Sequence, residues 1–281
     1  NSQVDSETTE NPVYQFYTLS QNNKFITWND QGSIDSCSGE SGWAHDKGGI
    51  VYNSSKTKGV YLQSSNPNWG FFDKGFLSSG DASHPGIQTN LAQHFLFVQL
   101  ETQKDIDNLV SLMNVANVCV MDGSIPGFSP CLTDKNCSEK YKSLTVNNLT
   151  MVAKSVGKPG DDVWGYLNKN ICGDSGITVL SYCSPKCPLG NSSAQSKING
   201  VTDVLNTHHK DSGDWSVLNQ DCNLKFSAFH SNHSKIGVCD NTYKVIIGGN
   251  NHSTESQGAR GGLFVVIDDE TLARDLQCLF K

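Results

Sequence analysis

The sequence has no apolar run approaching the ~20 residues that a membrane-spanning helix needs, and residues 1–10 are polar rather than signal-like. These absences predict a soluble, mature chain with no membrane partner. Charge is also sparse, since only 17% of the 281 residues are charged and the formal net charge is −7 with neutral histidine. A chain with this balance does not bind nucleic acid strongly and unspecifically at neutral pH.

Acid changes the charge balance. Protonating all eight histidines moves the formal net charge from −7 to +1, and protonation of Asp and Glu adds to the change. A DNA backbone or another phosphate-type anion therefore stays a candidate partner at acid pH.

Metal-binding spacings are absent, because the sequence contains neither a CxxC pair nor an HExxH motif. His208-His209 with Asp211, and His230 with His233, are interpreted as surface histidines. The sequence therefore predicts no metal site and no cofactor.

One short motif is similar to a catalytic segment of another family. Gly173-Asp174-Ser175-Gly176 resembles the nucleophile segment of trypsin-like serine proteases, which also requires a His and an Asp in a fitting context. His45-Asp46 is followed by Lys and has no fitting strand context, so we interpret this match as a coincidence.

Ten cysteines and six Asn-x-Ser/Thr sequons predict passage through an oxidising secretory route. We therefore expect a secreted, extracellular glycoprotein with five disulfides. The close pairs Cys131 with Cys137 and Cys183 with Cys187 are suited to closing short loops, and the full connectivity stays open. The predicted glycosylation sites are Asn53, Asn136, Asn148, Asn191, Asn232 and Asn251.

Short β patterns recur along the chain and sparser helical patterns lie between them, which together predict a mixed α/β fold. Residues 1–10 are predicted to be a disordered lead-in, and residues 12–16 to begin the first strand-like run. Further strands are predicted at 59–63, 95–100, 115–121, 177–182, 224–229, 236–238, 244–248 and 262–267, with helices at 102–116 and 270–280.

The order of these patterns indicates an internal duplication. Strand 95–100 and its following helix match strand 262–267 and its following helix, and a short lysine-containing motif lies upstream of each. We therefore expect an N-terminal half over 11–150 and a C-terminal half over 151–281, packed face to face as one compact unit.

His233-Ser234-Lys235 is the main candidate for chemistry. In an extended segment, residues two apart point to the same face, so this imidazole and this ammonium converge. Such a pair suits a phosphodiester, because the His acts as nucleophile or general acid while the Lys offsets charge on the non-bridging oxygens.

Residues 230–263 resemble the C-terminal signature of the deoxyribonuclease II family, with His-Ser-Lys, a later Asn at Asn251 and a Gln-x-x-Arg-Gly-Gly stretch. Weaker matches, such as Lys58-Gly59-Val60, extend the resemblance over most of the chain. It implies a phospholipase D-like fold of two homologous α/β halves around a shared pseudo-two-fold site, to which each half gives a His-x-Lys motif. It also implies a bridge between Cys222 and Cys278.

Members of that family are metal-independent acid endonucleases. One histidine attacks phosphorus, the other protonates the leaving 5′ oxygen, and water then releases a 3′-phosphate. The resemblance carries these roles to His233, Lys235 and Lys58 as catalytic positions, with Asn251 as a binding residue.

The first half departs from the family pattern where the resemblance places its motif. The family has His-Thr-Lys-Gly, and Lys56-Thr57-Lys58-Gly59 replaces the histidine with Lys56, which is kept as a binding residue. With an unperturbed pKa of about 10.4, lysine stays a protonated cation in acid and does not act as a nucleophile. A further family histidine is missing near Phe72 or Asp73. Glycans at Asn53, Asn232 or Asn251 are also expected to crowd a DNA backbone.

The sequence therefore predicts a pseudo-enzyme: a secreted, N-glycosylated deoxyribonuclease II-like protein with a degenerate site, which binds a partner or host protein. It is similar in this to sequon-rich secreted glycoproteins of parasitic trichina-type nematodes. One alternative is an active metal-independent acid endodeoxyribonuclease that uses His233 and Lys235. Another is a structural or immune-modulating glycoprotein recognised through its glycans. A dimer formed through the halves is left open.

Overall fold

The computed structural model describes residues 11–30, 42–66, 94–129, 139–157, 163–181, 201–206, 234–252 and 260–279. Several predictions lie outside the described residues, so the structure says nothing of them. They are the lead-in 1–10, strand 224–229, residues Phe72, Asp73, Cys222 and His233, the two close cysteine pairs, and the sequons at Asn136, Asn191 and Asn232.

Five antiparallel strands form the first sheet. They are β1 (Lys24–Trp28), β2 (Lys47–Tyr52), β3 (Gly59–Ser64), β4 (Phe95–Leu100) and β5 (Val120–Ser124). Their order across the sheet is β4-β3-β2-β1-β5. Ile26 lies opposite Ile50, Ile50 opposite Tyr61, and Tyr61 opposite Val98, so these buried side chains share one face.

Seven strands form the second sheet. They are β6 (Tyr141–Val146), β7 (Leu149–Lys154), β8 (Ile177–Ser181), β9 (Val201–Asn206), β10 (Ile236–Cys239), β11 (Lys244–Gly248) and β12 (Gly262–Asp268). The order is β6-β7-β12-β11-β10-β8-β9, and the β8–β9 pair is parallel while the other pairs are antiparallel.

Four helices lie in the described residues: α1 (Pro12–Ser20), α2 (Gln103–Ala116), α3 (Val163–Asn170) and α4 (Glu270–Leu279). Local caps explain where two of them begin. Asn11 Oδ1 accepts a hydrogen bond of 3.0 Å from the Val13 amide at the start of α1, and Thr102 and Asp105 form a capping box at the start of α2. Helix α2 ends at Asn117, whose φ of 57° is left-handed.

The largest buried cluster of apolar side chains joins the two halves. It combines inward-facing residues of the first sheet such as Trp28 and Ile50, the buried face of α2, and Met151 and Leu263 of the second sheet. Helix α1 packs on the other face of the first sheet, and α3 packs on the other face of the second. The halves therefore share one core.

Each half repeats the same succession of elements. Helix α1 and strand β1 precede β2, β3, β4 and α2, as α3 and β8 precede β10, β11, β12 and α4. Strand β2 pairs antiparallel with β1 and β3, as β10 does with β8 and β11. Lys47 is the first residue of β2, and Lys235 directly precedes β10. Lys47 thus holds in the first half the place that Lys235 holds in the second.

The predicted mixed α/β class is confirmed by the two sheets and four helices. Two predicted strands are wrong. Residues 12–16 belong to helix α1, because Asn11 caps the chain and Pro12 fits the first helical turn. The strand predicted at 115–121 begins only at Val120, because α2 continues to Ala116 and Asn117 then turns the chain.

Other elements had no prediction, namely β1, β2, β6, β7, β9 and α3. Strand β2 has the sequence Lys-Gly-Gly-Ile-Val-Tyr and is buried throughout. Its lysine and two glycines have low strand propensity, so the sequence pattern does not predict it. The second sheet already begins at β6, and the expected boundary between the halves at residue 150 falls inside β7.

A disulfide joins Cys172, just after α3, to Cys239 at the end of β10. Cys119 and Cys278 are disulfide-bonded as well, and none of the described cysteines is free. Within the described part of the chain, no helix is both long and apolar enough to cross a bilayer.

Candidate functional site

A buried cluster of charged side chains lies where the halves meet. Asp30 follows β1, His45 lies two residues before β2, and Lys47 begins β2. The second half adds Lys235 and Arg260, which precede β10 and β12. We call these five residues the inter-half cluster. Lys47 and Lys235 are almost completely buried, which lysines rarely are without a compensating partner or function.

The Asp30 carboxylate is bound by three cationic or basic groups. Its Oδ1 lies 2.6 Å from Lys47 Nζ, and its Oδ2 lies 3.3 Å from His45 Nε2 and 3.4 Å from Arg260 Nη1. Burial by itself raises the pKa of this carboxyl, but the charges of Lys47, His45 and Arg260 hold the pKa well below its usual range. Asp30 is therefore ionised in the folded protein.

His45 is held in one tautomer by the second half. Its Nδ1 lies 2.6 Å from the carbonyl oxygen of Gly249, which only accepts hydrogen bonds, so Nδ1 donates. In the neutral ring, Nε2 then carries the lone pair. Burial first, and then the charge of Lys47, hold the His45 pKa well below 6.5. The Asp30 carboxylate, whose Oδ2 lies 3.3 Å from Nε2, acts in the opposite direction.

The Lys235 side chain completes the cluster from the second half. Burial and the nearby charge of Lys47 lower its pKa well below the usual value, while Asp30 acts in the opposite direction. Two lysines that share one enclosure favour an anion there, because an anion relieves the repulsion between their protonated forms.

Gly249 allows the halves to approach closely at this point. A Cβ atom at Gly249 would overlap the His45 carbonyl oxygen and the Asp46 carboxylate. The absence of a side chain here lets the end of β11 come near enough for the Gly249 carbonyl to fix the His45 ring.

Asp46 lies between His45 and Lys47 in the chain, and its carboxylate is bound by residues outside the cluster. It accepts hydrogen bonds of 3.1 Å from Trp28 Nε1 and 3.2 Å from Gln63 Nε2, and Gln63 also donates to the Leu263 carbonyl at 2.9 Å. Burial raises the Asp46 pKa to about 7, although both hydrogen bonds lower it. Asp46 thus anchors the motif to the shared core.

Asp46 makes stability depend on pH, and Asp46→Asn should remove its contribution. The folded pKa of about 7 exceeds the unfolded value of about 3.9, so between these values the folded state holds a proton that the unfolded state releases. Relative to Asp46→Asn, the free energy of unfolding of the unmodified chain should rise by ~1.4 kcal/mol for each pH unit lowered within this window.

Urea unfolding of both proteins at several pH values from 4 to 7 measures this difference. Asp268→Asn, an exposed carboxylate at the end of β12, serves as the matched control. A difference between the Asp46 proteins that stays constant over that range would contradict the assignment.

Lys56 and Lys58 are not brought to the inter-half cluster. They lie in the turn between β2 and β3, beyond Tyr52, whereas Lys47 is at the opposite end of β2. At about 3.3 Å per residue, the strand separates Lys47 from this turn by ~20 Å. Lys56 Nζ instead forms a partly exposed ion pair of 3.2 Å with Asp107 of α2.

The described sequons lie at different distances from the cluster. Asn53 is in the β2–β3 turn, where its Oδ1 accepts from the amides of Thr57 and Lys58, and Asn148 is in the β6–β7 turn. Asn251 lies two residues after Gly249 and is partly buried. Only Asn251 of these three is thus near the cluster in sequence and structure.

The sequence analysis missed His45, Lys47 and Asp30. A signal was present, because His45-Asp46-Lys47-Gly48 has the His-x-Lys-Gly form of the family motif. The sequence interpretation considers His45-Asp46 only as a protease match and places the family motif at Lys56-Thr57-Lys58-Gly59. Asp30 had no such local pattern, since its role depends on residues distant in the chain.

No group of three or more His, Cys, Asp or Glu in the described ranges is arranged to hold a metal ion. The cluster is instead composed of a histidine, two lysines, an arginine and one carboxylate. This is the composition of a site for anionic ligands.

The fold and the cluster define an α/β protein of two similar halves that share one buried cationic site. The family model for deoxyribonuclease II matches residues 1–281, and the chain therefore belongs to the deoxyribonuclease II family. No curated protein matches the sequence.

Two solved structures are similar in shape. Phosphatidylserine synthase of Haemophilus influenzae is 12% identical, with a TM-score of 0.43, over 99% of this chain and 71% of that one. Polyphosphate kinase from Porphyromonas gingivalis is 12% identical, with a TM-score of 0.39, over 84% of this chain. This chain spans only 32% of the length of the kinase chain.

Proposed function

We propose that the protein is a metal-independent acid endodeoxyribonuclease whose first motif is His45-Asp46-Lys47, rather than Lys56-Thr57-Lys58. One observation supports this register above the others. Lys47 begins β2 and Lys235 directly precedes the equivalent strand β10, and both are buried in one cluster. Lys58 directly precedes β3, which corresponds to β11 in the second half. The second motif directly precedes β10 instead, which corresponds to β2.

The geometry at His45 suits attack on phosphorus. The Gly249 carbonyl fixes the Nδ1 proton, so the lone pair of the neutral ring lies on Nε2, which faces Asp30 Oδ2 at 3.3 Å until a phosphate takes that place. The ammonium groups of Lys47 and Lys235 are suited to offset the charge that develops on the non-bridging oxygens. Family membership supports DNA as the substrate.

The reaction then follows the course that the family resemblance implies. His45 Nε2 bonds to phosphorus while the bond from phosphorus to O5′ breaks, and the leaving oxygen takes a proton. His233, two residues before Lys235 in the second motif, is the proposed donor of that proton. Water next attacks the phosphohistidine and gives a proton to His233, while the bond from phosphorus to His45 Nε2 breaks and a 3′-phosphate is left.

The hypothesis of a degenerate site depended on Lys56 in place of the first histidine. With His45 in the cluster, both halves have a His-x-Lys motif, and the active alternative is the one that the geometry supports.

A host-directed binding role is the second candidate, and the sequon at Asn251 beside the cluster favours it, because a glycan there would hinder DNA. We also propose secretion, which the sequons and the Cys172–Cys239 disulfide support.

Plasmid nicking at about pH 5 in EDTA tests the proposed function, with Lys47→Ala and Lys58→Ala as a matched pair. Loss of Lys47 should lower the nicking rate ~100-fold or more, because it removes charge stabilisation at the reacting phosphate. Lys58→Ala should leave the rate within about twofold, because an exposed turn lysine contributes little. Thermal melting checks that both variants fold.

No nicking by the unmodified protein would contradict the nuclease proposal and favour the binding role. A large loss in Lys58→Ala with none in Lys47→Ala would contradict the proposed register.

A further inference from the structure

His94 is a partly buried histidine that the proposed reaction does not use. It directly precedes β4, both of its ring nitrogens are buried, and neither has a hydrogen-bond partner in the part of the chain that the structure describes. Its backbone is paired: the His94 amide donates to Ser65 Oγ at 2.9 Å, and its carbonyl accepts from the Ser65 amide at 3.2 Å. The backbone is thus fixed while the ring stays unpartnered.

The ring of His94 lies beside the inter-half cluster. His94 and Leu96 are two residues apart in an extended segment, and Leu96 lies opposite Gln63, so the His94 side chain shares the face from which Gln63 reaches Asp46. The positive charges of Lys235 and Lys47 act on the ring and, after burial, lower the His94 pKa to about 3. Both motif lysines therefore act electrostatically on this imidazole.

An imidazole in this state is suited to contact an anion. A neutral ring has one N–H donor and one acceptor nitrogen, and burying both without partners is unfavourable. Native proteins rarely leave such groups unsatisfied, and a role at a functional site is one of the reasons for which they do. A phosphate oxygen drawn in by the lysines would accept the N–H, and the neutral ring would add no further charge to the cluster.

We propose that His94 is a substrate-binding residue, which donates its ring N–H to an oxygen of the phosphate held by Lys47 and Lys235. This inference rests on the proposed function for the identity of the phosphate as a DNA phosphodiester. It adds to the two His-x-Lys motifs a contact from the start of β4, a strand that carries neither motif.

His94→Leu separates this role from a structural one. A histidine that supports the fold loses stability when it is replaced, whereas a histidine kept for binding loses affinity. Because the ring has no partner to lose, the melting temperature should rise by about 2–4 °C. Affinity for inorganic phosphate, measured by calorimetry at pH 5, should fall about 3- to 10-fold.

Tyr52→Phe is the matched control. The Tyr52 hydroxyl is also buried without a partner, but it lies at the opposite end of β2 from Lys47. This variant should gain stability in the same way with phosphate affinity unchanged. His94→Gln, which restores an N–H donor, should recover part of the affinity lost in His94→Leu.

Unchanged phosphate affinity in His94→Leu, or no measurable phosphate binding by the unmodified protein, would overturn the inference. The inference would also be overturned if His94→Leu had a lower melting temperature and His94→Gln did not recover the lost phosphate affinity. If the unmodified protein fails to nick DNA and yet His94→Leu weakens phosphate binding, the nuclease function fails and the assignment of His94 stands. If it nicks DNA and His94→Leu has the same KM and phosphate affinity, the inference alone fails.

Discussion

Replacing His45 with alanine should lower the rate of plasmid nicking at about pH 5 in EDTA by ~1,000-fold or more, because groups that act as a unit in covalent catalysis are not individually dispensable. His45 is the only cluster residue whose lone pair is directed by a fixed hydrogen bond, from Nδ1 to the Gly249 carbonyl at 2.6 Å. Alanine removes the nucleophile and leaves Lys47, Lys235 and Arg260 in place. Phosphate binding should therefore persist in this variant.

Lys56→His is the matched variant, since it restores the family histidine at the position that the resemblance first indicated. The Lys56 side chain pairs with Asp107 on the surface, so this change should leave the nicking rate unaltered. A rate that rises in Lys56→His, or that survives in His45→Ala, would place the first motif in the β2–β3 turn after all. The end groups of the product, which should be 3′-phosphates, give a second check on the chemistry.

The second half was the more predictable part of the fold. Residues 236–238, 244–248 and 262–267 read as strands because apolar residues dominate each run, and the structure has strands there. In the first half, the strand pattern is weak at the start of β2, where the site residue Lys47 lies. Lys47, Gly48 and Gly49 start a buried strand with residues that have low strand propensity, and tertiary contacts override that preference.

In the candidate site too, some residues are predicted by local patterns and others are placed only by tertiary contacts. Lys235 was predicted from a local pattern, and the structure buries it in the cluster. Lys58 was chosen by a similar local pattern, and only the strand pairing shows that it lies at the other end of the hairpin. Asp30 and His94 reach the cluster through contacts with residues distant in the chain, and the sequence alone gives no signal for either.

Asp30→Asn is expected to have the largest effect on stability, and it tests whether the cluster is a single electrostatic unit. Removing this charge leaves Lys47 and Arg260 buried without their carboxylate, and breaking a buried ion pair in this way costs about 3–5 kcal/mol. Asp107→Asn is the matched control, because it breaks a Lys–Asp pair of 3.2 Å whose carboxylate is half exposed. That change should cost less than about 1 kcal/mol.

The effect of Asp30→Asn should also depend on pH in a defined direction. The folded pKa of Asp30 is depressed, so its contribution is fully present above the unfolded value of about 3.9 and is lost as the pH falls below it. Urea unfolding at pH 7 and pH 5 should therefore give the same difference between the unmodified protein and Asp30→Asn, and at pH 3 the difference should be smaller. Equal costs for Asp30→Asn and Asp107→Asn would contradict the buried arrangement, whereas a large cost retained at pH 5 would show that the cluster stays assembled in the acid in which the nuclease is proposed to act.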